Sequence, residues 1–219
     1  MRIGKALWKK IYVRIYTKER KEEMSSTGSG YKKIMWGVLL SAVHAEIPIG
    51  MFCIQIIPMF LGFGMVMIGC MELRDQCGLD FMDKAVKSSM TTTGVAFATW
   101  IVGMFFSYQL AITQALVVLV YVFAIATYGD ILNKTIRLYK LEGMEREADR
   151  LRKDRMTFIK IYLAGVAICL IGMIPQLSFI RQYVTTGIMF AINLWLSLIV
   201  QNISKRDVTF HPQADRHLV

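Results

Sequence analysis

From residue 89 to residue 129 the chain has no lysine, arginine, aspartate or glutamate. A soluble core element of ordinary length never needs so long an uncharged stretch, which is about twice what one bilayer crossing requires. Charged residues make up 19% of the chain against 55% hydrophobic, with a mean hydropathy of +0.44. Soluble domains carry about 25% charged residues. These shortages exclude a soluble enzyme, a disordered chain and a disulfide-stapled secreted domain. Cysteine is also scarce. Cys53, Cys70, Cys77 and Cys169 form no CxxC pair, and with three histidines they build no metal quartet at sensible spacing. Lying in or beside apolar spans or in a cytoplasmic loop, they are expected to be reduced. G-x-S-x-G, a phosphate-binding Walker loop, H-E-x-x-H and paired aspartates on adjacent spans are all missing. No enzyme, cofactor or metal is therefore expected.

What charge there is comes in blocks. Of 26 basic residues, ten fall in 1–33, three in 73–88, nine in 133–160 and three after 203, leaving Arg181 alone. Against 16 acidic residues they give a net charge of +10. The blocks flank hydrophobic spans, and the positive-inside rule puts them in the cytoplasm. Topology thus accounts for the pI near 9.5, and nucleic acid is not an expected partner.

The spans follow. Runs 89–109 and 110–129 part at Ser107-Tyr108-Gln109, each near the ~20 residues that cross a ~30 Å hydrocarbon layer. A second pair covers 157–174 and 184–202, with Pro175, Gln176, Arg181 and Gln182 between. The stretch 34–71 is too long for one span and carries His44-Ala45-Glu46-Ile47-Pro48-Ile49-Gly50 at its middle, a turn or a broken helix. Basic blocks on both sides of it require an even number of crossings. Two short ones are preferred to a re-entrant hairpin, because broken backbone facing lipid is not tolerated. The expected fold is all-α: a polytopic transmembrane helix bundle of about six spans in three hairpins, the first short or broken. It sits in the cell membrane with both termini cytoplasmic.

Residues 1–33 read as a cytoplasmic extension. Ile3, Leu7, Trp8, Ile11, Tyr12 and Ile15 recur at helical spacing, with Arg2, Lys5 and Lys9 on the opposite side. Such a basic amphipathic helix suits an anionic inner leaflet, or equally packs on a partner. Arg2, Lys5, Trp8 and Lys9 are its membrane-surface candidates, and Ser25–Gly30 reads as a flexible tether. The bundle takes 34–203, with a charged cytoplasmic helix at 133–156, and 204–219 forms a cytoplasmic tail. In 133–156, Leu141, Met144, Ala148 and Leu151 follow 3-4-3 spacing while Glu142–Arg146 and Asp149–Lys153 sit four apart. Residues 1–23 and 133–156 are the two places where a protein partner would dock; the lipid bilayer is the other expected partner.

Ionisable residues inside an apolar stretch are costly and usually functional. His44 and Glu46 are the two in the first hairpin, and a helix broken at Pro48 would let them converge; the other reading is a solvated outer turn. Gln55, Gln114 and Asn193 are neutral polar candidates for lining a ligand cavity, with Thr91, Thr92 and Thr93 beside them, although hydroxyls in spans often just bond backbone carbonyls. Close helix approach is signalled by the small-residue pairs Gly94/Ala98, Ala111/Ala115 and Gly165/Cys169.

The run Ile56-Ile57-Pro58-Met59-Phe60-Leu61-Gly62-Phe63 resembles a pattern in small uncharacterised multi-pass membrane proteins of Gram-positive bacteria, where Pro-Asp-Phe-Ile-Gly-Tyr opens the second apolar segment. Met59 stands at the aspartate's place and Phe63 at the tyrosine's. The likeness covers about 40 of the 219 residues. It implies a bacterial origin and a broken first hairpin, and no activity.

Besides an intramembrane enzyme, which would have to rest on His44 and Glu46 alone, two function classes remain. One is a membrane transport or small-ligand-binding component, using His44, Glu46, Gln55, Gln114 and Asn193. The other is a non-catalytic membrane subunit or regulator that docks a partner through its cytoplasmic helices. A dry, filled interior favours the second and a polar cavity the first.

Overall fold

The computed structural model describes residues 27–43, 46–49, 52–55, 57–77, 79–105, 111–172, 174, 184 and 186–206. Six helices and one short hairpin of strands account for nearly all of these. The order is α1 (Thr27–Ala42), β1 (Glu46–Ile49), β2 (Phe52–Gln55), α2 (Met59–Cys77), α3 (Leu79–Phe105), α4 (Ala111–Leu141), α5 (Glu145–Ile171) and α6 (Thr186–Ser204). Two of the helices, over Ile112–Leu141 and Thr186–Ser204, are long and apolar enough to cross a membrane. All but α6 carry charges at one end.

Each helix packs on the next in sequence, and α6 returns to α1, so the six close into a ring. Paired residues show that every neighbour runs antiparallel. Phe60 of α2 meets Phe97 and Trp100 of α3, both with ring centroids 5.2 Å away. Thr92 of α3 and Thr127 of α4 share a hydrogen bond of 2.8 Å. Tyr121 of α4 lies edge-on to Tyr162 of α5, and Phe158 of α5 lies 6.4 Å from Trp195 of α6. A β-carbon on Gly28 of α1 would lie 3.3 Å from the Ser204 carbonyl at the far end of α6. Alternating direction brings the starts of α1, α3 and α5 and the ends of α2, α4 and α6 to one face of the bundle, where the charged residues collect.

The tightest contact is the first hairpin. Gly30 and Gly37 of α1 face Gly69 and Gly62 of α2, with both pairs seven residues apart in their helices. A β-carbon on Gly69 would lie 2.6 Å from the Gly30 carbonyl oxygen, and one on Gly62 would collide with the Ser41 backbone. Without side chains at these positions the backbones approach and gain dispersion contacts along both helices. This also explains why Thr27–Gly30 is not the expected tether. Gly30 fits against Leu73 and the Gly69 carbonyl, so the sequence continues as the first turn of α1.

Between these helices stands a β-hairpin in place of the expected turn or broken helix. Glu46 pairs with Gln55, Ile47 with Ile54, Pro48 with Cys53 and Ile49 with Phe52. Ile47, Ile49, Phe52 and Ile54 are β-branched or aromatic, which suits a pleated strand over a helix.

The segment 133–156 is likewise not one charged helix. It is the tip of a helical hairpin, ended by Gly143 at φ 72°. The Met144 amide donates to the Tyr139 carbonyl at 2.8 Å and the Gly143 amide to Lys140 at 3.1 Å. This pair of bonds closes a helix around a left-handed residue, and glycine takes that conformation without a Cβ clash. Leu141 is consequently exposed, while Ala148 and Leu151 are buried as the first turns of α5.

Candidate functional site

Where α1, α4 and α6 meet, the centre of the ring is filled. Ile34, Val38, Tyr128, Ile131, Leu196 and Val200 line a seam with no room for a water molecule. Tyr128 organises it. Its ring packs on Phe63, Phe158 and Tyr162, and its hydroxyl lies 3.2 Å from Ser41 Oγ. The Tyr31 hydroxyl bonds Thr135 at 3.0 Å nearer the charged face. Several buried hydroxyls are thus spent on neighbouring helices or on their own backbone, while those of Thr113 and Tyr139 are buried without a partner. Thr91, Thr92 and Thr93 donate to the carbonyls of Lys87, Ser88 and Ser89, which commits their protons to the helix backbone.

The expected ligand residues are dispersed. Glu46 and Gln55 are brought together, as register partners at the open end of the β-hairpin. His44 lies outside the described residues, as do Arg2, Lys5, Trp8 and Lys9 and with them the whole expected surface helix. Gln114 is half-buried in the first turn of α4. Asn193 is buried in α6, two ring positions away. Its Nδ2 donates to the Met189 carbonyl at 2.9 Å, and its Oδ1 is buried with no partner. Among the described residues no group of histidine, cysteine, aspartate or glutamate could hold a metal ion.

Two surface features complete the picture. One is an apolar belt contributed by all six helices, including Trp36, Leu61, Leu119, Leu163 and Leu198. Its most exposed members are Phe105 at 71%, Ile112 at 70% and Met90 at 66%. Soluble monomers rarely expose contiguous apolar patches beyond a few hundred Å². The other is the charged face, laced by ion pairs between elements. Lys84 reaches Asp130 at 3.0 Å, Arg206 reaches Glu147 at 3.3 Å, and Lys33 reaches Glu72 at 2.5 Å. Lys134 stands over the Phe81 ring at 5.6 Å. The hydrogen bond from Lys87 lowers the pKa of Asp83, which in turn raises that of Lys87. Solvent and salt screen exposed pairs of this kind, so they set register more than stability.

The chain matches no known family, no characterised protein and no solved structure.

The close-packed pairs differ from those the sequence singles out. Gly94 has open space around it, and Ala98 and Ala115 are exposed. Of the three pairs, Gly165/Cys169 is in use: a β-carbon on Gly165 would lie 2.9 Å from Met189 Sδ. The glycines that matter most, at 30, 37, 62 and 69, carried a visible signal in their matching seven-residue spacing.

Proposed function

We propose that this chain is a multi-pass protein of the cell membrane and acts there as a non-catalytic subunit or regulator. In this reading all six helices cross as three hairpins, with the charged face and both termini in the cytoplasm. The apolar belt on every helix supports six crossings, and the concentration of basic residues at one face supports that orientation. The observation that carries the functional part is the filled seam around Tyr128, which offers a solute neither space nor polar ligands. The tip between α4 and α5 is the docking candidate, since Leu141 is 54% exposed there amid charged neighbours.

The test is a photo-crosslinking amino acid at Leu141 in native membranes, with Phe105 as the lipid-facing control. A discrete protein adduct from position 141 alone is expected. No adduct there, together with solute flux through vesicles holding the purified chain alone, overturns the reading. For orientation, a cysteine at Asp149 should resist membrane-impermeant reagents in intact cells while one at Gln182 reacts.

A transport or ligand-binding component is the second reading, favoured by the unpartnered Asn193 Oδ1. Replacing Asn193 by Leu separates the two. A subunit keeps its partner and gains stability by losing an unsatisfied carbonyl; a ligand-binding protein loses its ligand.

A further inference from the structure

We propose that the outward face of α5 is a binding site for an anionic phospholipid, a reading that rests on the membrane assignment above. α5 is held to the bundle by a narrow stripe. Ala148, Leu151, Phe158, Tyr162, Gly165 and Cys169 are buried, at the three- and four-residue steps of one helix face. The opposite face is exposed along its length, and its residues change character half-way. Arg146, Arg150, Lys153, Thr157 and Lys160 give way to Ala164, Ala167 and Ile171, all of them exposed.

Two properties of this face point to a lipid. The first is unpaired positive charge. Elsewhere Lys33, Arg74, Lys84, Lys87 and Arg206 each have a carboxylate partner, whereas Lys134, Arg137 and Lys140 of α4, like the cations of α5, have none among the described residues. Among the described residues, Lys153 and Lys160 have no ion pair. They stand about 10.5 Å apart along the axis, with the Thr157 hydroxyl between them. Asp149 shares the face a turn before Lys153, and Asp154, the last carboxylate of the helix, is turned about 100° away from Lys153. The second property is the furrow that continues from Lys160. Ala164 and Ala167 form a shallow floor beside Leu163 and Leu170, which are 53% and 51% exposed. A cationic pair that runs directly into an apolar furrow fits a molecule with an anionic head and a hydrocarbon tail. An acidic peptide would use the charges and leave the furrow empty.

The geometry assigns the phosphate to Lys153, Thr157 and Lys160 and one acyl chain to the Ala164–Ala167 furrow. The experiment is native mass spectrometry of the full-length protein titrated with phosphatidylglycerol and with phosphatidylcholine. Wild type should hold phosphatidylglycerol more tightly. K153Q/K160Q should weaken it by about thirty-fold, from roughly a factor of five per basic residue near a phosphate, while K153R/K160R retains it. A164L/A167L fills the furrow without touching the charge and should also weaken lipid binding; glycerol phosphate, which has no tail, should not displace the lipid. Extraction of the wild type from vesicles by alkaline carbonate refutes the membrane assignment. A protein that stays in the vesicles yet holds both lipids equally, or whose K153Q/K160Q form binds as well as wild type, overturns the lipid site alone. Displacement by glycerol phosphate, or full binding by A164L/A167L, overturns it in favour of a bare phosphate site.

Discussion

A β-carbon on Gly37 would lie 2.6 Å from the carbonyl oxygen of Gly62. That distance is well inside van der Waals contact, and both groups belong to backbones held by their own helices. Gly37→Ala and Gly62→Ala should each destabilise the bundle by about 1–3 kcal/mol, the cost of forced overpacking. Gly94→Ala, with nothing within 4 Å, should be neutral or slightly stabilising. Unfolding by SDS in mixed micelles measures all three. Equal effects at 62 and 94 would mean that α1 and α2 do not meet at these glycines.

Tyr128 offers a separation of packing from hydrogen bonding. Tyr128→Phe removes the hydroxyl that faces Ser41 and should cost about 0.5–1 kcal/mol, as interhelical bonds in membranes do. Tyr128→Ala empties the centre of the seam and should cost about 3–5 kcal/mol. In a double-mutant cycle, Ser41→Ala should add little once Tyr128→Phe is already in place. Full additivity would show that the two hydroxyls are not coupled.

Gly143 closes α4 at φ 72°, a conformation that costs an ordinary residue about 1–2 kcal/mol. Gly143→Ala should lower the unfolding midpoint, with Gly143→Asn intermediate because asparagine tolerates the left-handed region. Proteolysis at the tip should rise in the same order. An Ala variant as stable and as resistant as wild type would contradict the cap.

Cys77, at the end of α2 on the charged face, provides a pH signature. Burial first, and the nearby Glu142 carboxylate second, push its thiol from the ordinary 9.0 up to about 11. The folded state therefore keeps this proton longer than the unfolded chain. The contribution is fully present below pH 9 and is lost as pH rises toward 11, where the unfolded state binds fewer protons. At neutral pH the buried thiol should react with maleimide far more slowly than after SDS denaturation. A Cys77→Ser variant should show a shallower fall in stability between pH 9 and 11, followed by unfolding at each pH.

The sequence made the helical architecture legible wherever charge stopped and started. Runs 110–129 and 184–202 overlap α4 and α6 over most of their length, and the break at His44–Gly50 falls just after the end of α1. Facing was not legible. In a chain with apolar residues on every side of a helix, periodicity does not tell a neighbour-facing position from a belt position. Thus Gly94/Ala98 looked like a contact and is open surface. Gly30 looked like part of a linker because Ser25–Gly30 has linker composition, and what makes it helical is Leu73, which lies far along the chain. The β-hairpin was hidden for a different reason. Glu46–Gln55 is too short for alternation to stand out, and Pro48 reads as a breaker before it reads as a strand residue. Of the site candidates, Asn193 alone showed a property beyond its residue type, a buried oxygen with no partner.

The ring is closed by α6 lying against α1, and that has a consequence for how the chain is made. α1 and α2 can lock together through their glycines as soon as both have left the ribosome. In the six-crossing reading, the flank of α1 that carries Ile34 and Val38 meets Tyr128 and Ile131 once α4 is in place, and it is sealed only when Leu196 and Val200 arrive. In that reading α1 is fully enclosed only by the last helix of the ring, and a chain stopped anywhere before α6 displays an uncovered flank by which a quality-control protease can tell it from the finished protein.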